Sequence, residues 1–226
     1  MIPARPAAIL FDMDGLLLDT ERLIRDTMAA AMADWGLVLR NDQFARLIGL
    51  PERDCKAIMA DMFGAELDYD VLRAATARRI AAEHGPVRPL KPGARALVQQ
   101  VEAAGIACAL VSSTERRLIE SHLHHAGLLS HFRVIVAGDE VSAGKPDPEP
   151  YRVAAAQLGL PPQSCLALED SHNGVRSAHA AGVPVIMVPD LLPATPAIRA
   201  LALAVAPDLA MVAAWLGAAA GRNRAR

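Results

Sequence analysis

Residues 7–15 read Ala7-Ala8-Ile9-Leu10-Phe11-Asp12-Met13-Asp14-Gly15. An unbroken apolar run stops at an acid, a second acid follows two residues later, and a glycine closes the stretch. Apolar runs without alternation suit strands that are covered on both faces. Runs of the same kind recur at 106–111, 134–136, 165–168 and 185–188. Helix-like patterns at 93–104, 115–126, 150–158 and 173–181 lie between them, each followed by a glycine: Gly105, Gly127, Gly159 or Gly182. Glycine just past a helix is the usual stop signal, because the chain there turns through a left-handed conformation. This strand–helix rhythm predicts an α/β fold built on a doubly wound parallel sheet.

Residues 17–88 break the rhythm. They hold helical stretches at 20–35, 51–63 and 70–83 and no clear strand. The reading is a small α-helical domain, 17–88, inserted into a core made of 1–16 and 89–226.

Composition narrows the possible functions. The chain has 226 residues, of which 53% are hydrophobic and 21% charged, enough apolar material for a buried core and too much for a disordered chain. With 23 basic and 25 acidic residues the net charge is −2, so there is no broad cationic field to bind nucleic acid. Cys55, Cys108 and Cys165 are odd in number and far apart, which argues against a disulfide framework or a zinc site. The early apolar run meets Asp12 too soon for a signal peptide, and the late stretch at 209–221 is too short to span a bilayer. A cytoplasmic protein that does not engage membranes, and a monomer, is the expectation. Lysine is scarce: Lys56, Lys91 and Lys145 are the only three, so the position of each is informative.

Four stretches carry chemistry. Asp12 and Asp14, two apart on an extended segment, point the same way, into the crevice where open α/β sheets bind ligands. Ser112, Ser113 and Thr114 follow the second core strand, where hydroxyls and N–H groups at a helix start favour an anion; simple helix capping accounts for them better on their own. Lys145 sits in Gly144-Lys145-Pro146-Asp147-Pro148, a stiff loop that offers a compact ammonium. Glu169 and Asp170 directly follow another apolar run and suit a hard cation such as Mg²⁺. Each stretch alone has an ordinary reading as a turn, a cap or a solvated loop. The ordered set of acids, hydroxyls, lysine and acids is far more specific.

In that order and spacing the sequence resembles the haloacid dehalogenase superfamily over nearly its whole length, the helical insert resembling the family's small cap. The segments FDMDGLLLDTE, GKPDPEPY and LEDSHNGVRSAHAAG look most like the branch that holds β-phosphoglucomutase and sugar-phosphate phosphatases. The resemblance implies a Mg²⁺-dependent phosphatase acting on a small phosphorylated metabolite, a sugar phosphate or similar phosphomonoester, through an aspartyl-phosphate. It makes Asp12 the nucleophile and Asp14 the acid and base, places Ser112, Ser113 and Lys145 on the phosphoryl group, and gives the metal to Asp12, the Asp14 carbonyl, Glu169 and Asp170. Asp14 separates this chain from dehalogenating members, which lack that acid. The alternative is a phosphosugar mutase. Such members carry a histidine shortly after the position of Thr20 and a lysine late in the cap; here Ile24 stands at the first, and no lysine lies between Lys56 and Lys91. A phospho-switch module without turnover is the remaining alternative, disfavoured by the chain's length and its cap. Arg53 and Glu21 are the candidate substrate contacts from the cap side. His122, His124 and His125 crowd one helix but point to different faces and read as surface, while Trp35 and Trp215 read as packing residues.

Overall fold

The computed structural model describes residues 5–48, 50, 52–64 and 66–224. Six strands, β1 (Ala8–Phe11), β2 (Ala107–Val111), β3 (Val134–Val136), β4 (Cys165–Glu169), β5 (Val185–Met187) and β6 (Ala204–Val205), form one sheet in the order β3-β2-β1-β4-β5-β6, every pair parallel. The five apolar runs are its first five strands. The two-residue β6 has no counterpart in the sequence reading, since a strand that short carries no pattern of its own.

Among the described residues, ten α-helices accompany the sheet. Those of the core are α5 (Ala94–Ala103), α6 (Arg116–His125), α7 (Glu149–Gln157), α8 (His172–Ala180), α9 (Pro196–Leu201) and α10 (Leu209–Arg224). Both faces of β1 are covered, which is why its sequence does not alternate. Ile9 and Phe11 pack with Leu97 and Val98 of α5, Ile119 of α6 and Val212 of α10. Ala8 and Leu10 pack on the opposite side with Tyr151 and Ala154 of α7 and Val175 of α8. A fully buried Leu or Ile contributes about 1.5–3 kcal/mol over an exposed one, so these two layers fix the sheet and with it the ends of its strands.

The remaining helices, α1 (Thr20–Ala33), α2 (Asn41–Ala45), α3 (Glu52–Phe63) and α4 (Tyr69–His84), lie in the insert and bury a core of their own around Met28, Met32, Phe44, Met59 and Leu72. Leu17 and Leu18, which the sequence reading puts at the start of the insert, have their side chains in the sheet's core instead. Two connecting segments run side by side. Leu18 bridges Leu90 antiparallel, the Asp19 N–H donates to the Pro89 carbonyl at 2.8 Å, and the Lys91 N–H donates to the Leu17 carbonyl at 2.9 Å. The chain thus enters and leaves the insert at one place, above the C-terminal ends of β1 and β4. No helix among the described residues is long and apolar enough to cross a membrane. All three cysteines are free and buried.

Candidate active site

Three adjacent strands set the site. β1 lies between β2 and β4, where the winding of the sheet reverses, and this is the point at which open α/β sheets form a crevice. Asp12 follows β1, Ser112 follows β2, and Glu169 ends β4 with Asp170 next to it. The Asp12 N–H donates to the Leu168 carbonyl at 3.0 Å, which extends the strand pairing to the acid itself. Carboxylate oxygens of Asp12, Glu169 and Asp170 lie within 4.8 Å of one another, and all three residues are buried.

Lys145 reaches into this group from the loop between β3 and α7. Its ammonium donates to Asp12 Oδ1 at 2.6 Å, to Glu169 Oε1 at 2.5 Å and to the Val111 carbonyl at 2.9 Å, so each of its three protons has an acceptor. Burial works against the charge on Lys145, but Asp12 and Glu169 outweigh it and hold the group above its usual range. Burial pushes Asp12 up to about 8; Lys145 opposes the rise, and Glu169 and Asp14 add to it. Asp170 is raised well above the ordinary carboxylate range by burial, then by Asp12 and Glu169.

Glycines make room for the acids. Gly15 has φ +83°, and a Cβ there would lie 2.1 Å from Asp170 Oδ2. A Cβ on Gly174 would lie 2.0 Å from either oxygen of Glu169. Three buried carboxylates share a single ammonium, a charge deficit that a hard divalent cation relieves, and the donor set is all oxygen. The residues present therefore fit Mg²⁺.

Asp14 is turned to the side of this cluster. Thr20 Oγ1 donates to its Oδ1 at 2.8 Å and Thr114 Oγ1 to its Oδ2 at 2.8 Å, while Ser112 Oγ stands 3.5 Å from Oδ2. The Ser112 hydroxyl also accepts the Thr114 N–H at 3.1 Å, tying the loop after β2 into one turn. Ser113 is exposed at the tip of that loop, and its carbonyl leaves no space for a side chain at Gly138. Glu21, half-buried on the first turn of α1, is pushed up to about 7 by burial, then by Asp14 and Asp190.

The structure thus brings Asp12, Lys145, Glu169 and Asp170 together, with Asp14 and Ser112 beside them and Glu21 near enough to feel Asp14. Arg53 does not join them. Its side chain is 91% exposed and meets Asp54 at 3.3 Å, because the start of α3 faces solvent. Trp35 is also more open than a packing residue, at 44% exposure. His124 and His125 are exposed, whereas His122 keeps Nδ1 buried and unbonded.

Two kinds of contact are not specified by the motifs. Thr20 and Thr114 fix the Asp14 carboxylate, although each looks like a helix cap in the sequence. Tyr151 on α7 donates its hydroxyl to Glu169 Oε1 at 2.6 Å. Only its place soon after the lysine loop could have pointed to it.

Comparison with known proteins agrees with this fold. Residues 9–188 match the family described as haloacid dehalogenase-like hydrolase. The phosphorylated carbohydrates phosphatase of Thermotoga maritima is 31% identical over 176 residues, which cover 78% of this chain and 82% of that protein. Hexitol phosphatase B of Escherichia coli is 31% identical over 194 residues, covering 83% and 85%. Among solved structures, a HAD family hydrolase from Deinococcus radiodurans with bound phosphate and sodium superposes with a TM-score of 0.79 at 30% identity, covering 96% of this chain and 97% of that one.

Proposed function

This chain belongs to the haloacid dehalogenase-like hydrolase family, and from that premise we propose that it is a Mg²⁺-dependent phosphatase of small phosphomonoesters, sugar phosphates above all. The observation that carries the reading is the convergence of Asp12, Lys145, Glu169 and Asp170 in one buried cluster at adjoining strand ends, with Asp14 alongside. The relatives named for phosphorylated carbohydrates and hexitol phosphates support the substrate class.

The roles are those that the family resemblance implies, and the positions of the residues support them. Asp12 attacks phosphorus, the bond to the leaving oxygen breaks, and an aspartyl-phosphate forms. Asp14 gives its proton to the leaving oxygen, then takes one from the water that attacks phosphorus and returns Asp12 to a carboxylate. Thr20 and Thr114 hold Asp14 until then. Lys145 exchanges a carboxylate partner for a phosphoryl oxygen, and Ser112 with the Ser113 N–H completes the cradle. Asp12, Asp170, the Asp14 carbonyl and the nearby Glu169 are the residues that hold Mg²⁺, which supplies charge neutralisation for the incoming phosphate dianion. Glu21, half-buried and influenced by Asp14, is the candidate contact for the leaving group. Arg53 contributes only if the insert moves relative to the core.

The test is turnover of a panel of phosphomonoesters by the full chain with Mg²⁺, beside Asp12→Asn. Phosphate release by the wild type and its loss in the variant is the expected result. No release from any ester overturns the reading, and transfer of the phosphoryl group to a second sugar instead of water makes the protein a mutase.

A further inference from the structure

We propose that Tyr151 is a positioning residue for Lys145, acting through Glu169. The inference rests on the phosphatase reading above. Tyr151 is fully buried in the apolar layer between β1 and α7, where a phenylalanine would serve equally well for packing. A phenol in such a layer needs an acceptor for its hydroxyl, and the acceptor here is Glu169 Oε1, the same oxygen that receives Lys145.

Both oxygens of the Glu169 carboxylate are engaged. Oε1 takes Tyr151 at 2.6 Å and Lys145 at 2.5 Å. Oε2 takes the Ser171 hydroxyl at 3.1 Å, and the Ser171 N–H stands 3.4 Å away. Gly174 presses on the carboxylate from behind, since a methyl group there would overlap it. Ser171 itself is pinned, accepting the Gly174 N–H at 3.0 Å as the cap of α8. Glu169 is thus clamped from three sides, and the clamp fixes the point to which Lys145 is tied. The Tyr151 ring makes a second contact: the Lys145 ammonium lies 5.4 Å from its centroid, within cation–π range. One side chain therefore touches the lysine through its ring and steadies the lysine's anchor through its hydroxyl. Without the hydroxyl, Glu169 Oε1 is held by Lys145 alone, and the ammonium and carboxylate shift together away from the place where a phosphoryl oxygen must meet them.

Tyr151→Phe isolates the hydroxyl. The chain has only three lysines, so ¹⁵N-lysine labelling gives three ammonium signals, of which Lys145, with three acceptors in a buried site, exchanges most slowly. In Tyr151→Phe the Lys145 signal moves and its proton exchange quickens, the other two signals stay, and kcat/KM falls about tenfold. Inorganic phosphate binds the Mg²⁺-loaded variant about threefold more weakly. A variant that turns over like the wild type with an unmoved Lys145 signal overturns the proposal. If the wild type hydrolyses no phosphomonoester, the phosphatase reading falls, and the ammonium signal still decides whether Tyr151 positions Lys145. Should Tyr151→Phe fail to fold, 3-fluorotyrosine at position 151 keeps the ring and makes a stronger donor; the Lys145 signal must then move, and an unmoved one rejects the proposal.

Discussion

Lys145 and Lys56 each hold a carboxylate at 2.6 Å, yet the two pairs do different things. The side chains of Lys145 and Asp12 are 6% and 9% exposed, whereas those of Lys56 and Asp70 are 57% and 60% exposed. Water screens the second pair and almost none reaches the first. Lys91 lies between the extremes: it holds Asp190 at 2.6 Å, with side chains 17% and 1% exposed, at the junction of the insert's two connecting segments. Arg22 of α1 shares the same Asp190 oxygen, while Asp190 Oδ2 is buried without a partner. Three lysines at one distance form a series in burial. Burial, rather than distance, sets what each charge is worth.

Replacing each lysine by methionine turns the series into a measurement. Lys145→Met leaves Asp12 and Glu169 facing each other in the interior, and removing one member of a buried pair costs about 3–5 kcal/mol. Urea unfolding of the metal-free variant should show that loss, with Mg²⁺ recovering part of it. Lys91→Met should cost about 1 kcal/mol, since Arg22 still holds Asp190. Lys56→Met should leave the unfolding midpoint where it is. Equal losses at Lys145 and Lys56 would break the comparison.

Gly15→Ala tests the space around the acids. The new methyl group would stand 2.1 Å from Asp170 Oδ2 at a φ of +83° that alanine rarely adopts. Forcing such a group into a packed site costs about 1–3 kcal/mol, and Mg²⁺ affinity measured by calorimetry should fall with it.

The response to pH sharpens the contrast further. Asp12 is raised in the folded chain from its ordinary value of 3.8 to about 8, chiefly by burial. The folded state then binds a proton that the unfolded state has released, so the metal-free chain loses stability as pH rises from about 4 to about 8, by at most about 1.4 kcal/mol per pH unit for this group, and levels off above that. Glu21, at about 7, slopes the same way over a narrower window. Thermal unfolding across this range should show the decline, and saturating Mg²⁺ should flatten it. The smallest effect belongs to Arg53→Ala, which should leave unfolding unchanged and alter only KM.

The sheet and the order of its charged ends were legible because each acid or hydroxyl stands directly after an apolar run, so one strand assignment placed both. Lys145 was legible through the stiff prolines around it. Three helices of the insert, α1, α3 and α4, were legible from their glycine stops, whereas the five-residue α2 was not, and neither was the Leu17–Leu18 boundary, because an apolar pair belongs equally well to either core. The Asp14 contacts were hidden for another reason. Thr20 and Thr114 stand 94 positions apart and meet only once the two connecting segments and the loop after β2 have closed on one carboxylate. Tyr151 closes the segment GKPDPEPY, but that segment carries no sign of a hydroxyl that reaches a different strand. The outward direction of Arg53 was not legible, because residue type fixes what a side chain can bind but not which way its helix turn faces.

The central claim is that Asp12 attacks phosphorus within the cluster formed by Lys145, Glu169 and Asp170. Its most direct test is to quench the Mg²⁺-loaded chain during turnover of a phosphomonoester, reduce it with borohydride, and locate the product by peptide mass. The account predicts homoserine at position 12 and nowhere else. Reduction at another acid, or none while phosphate is being released, would contradict it.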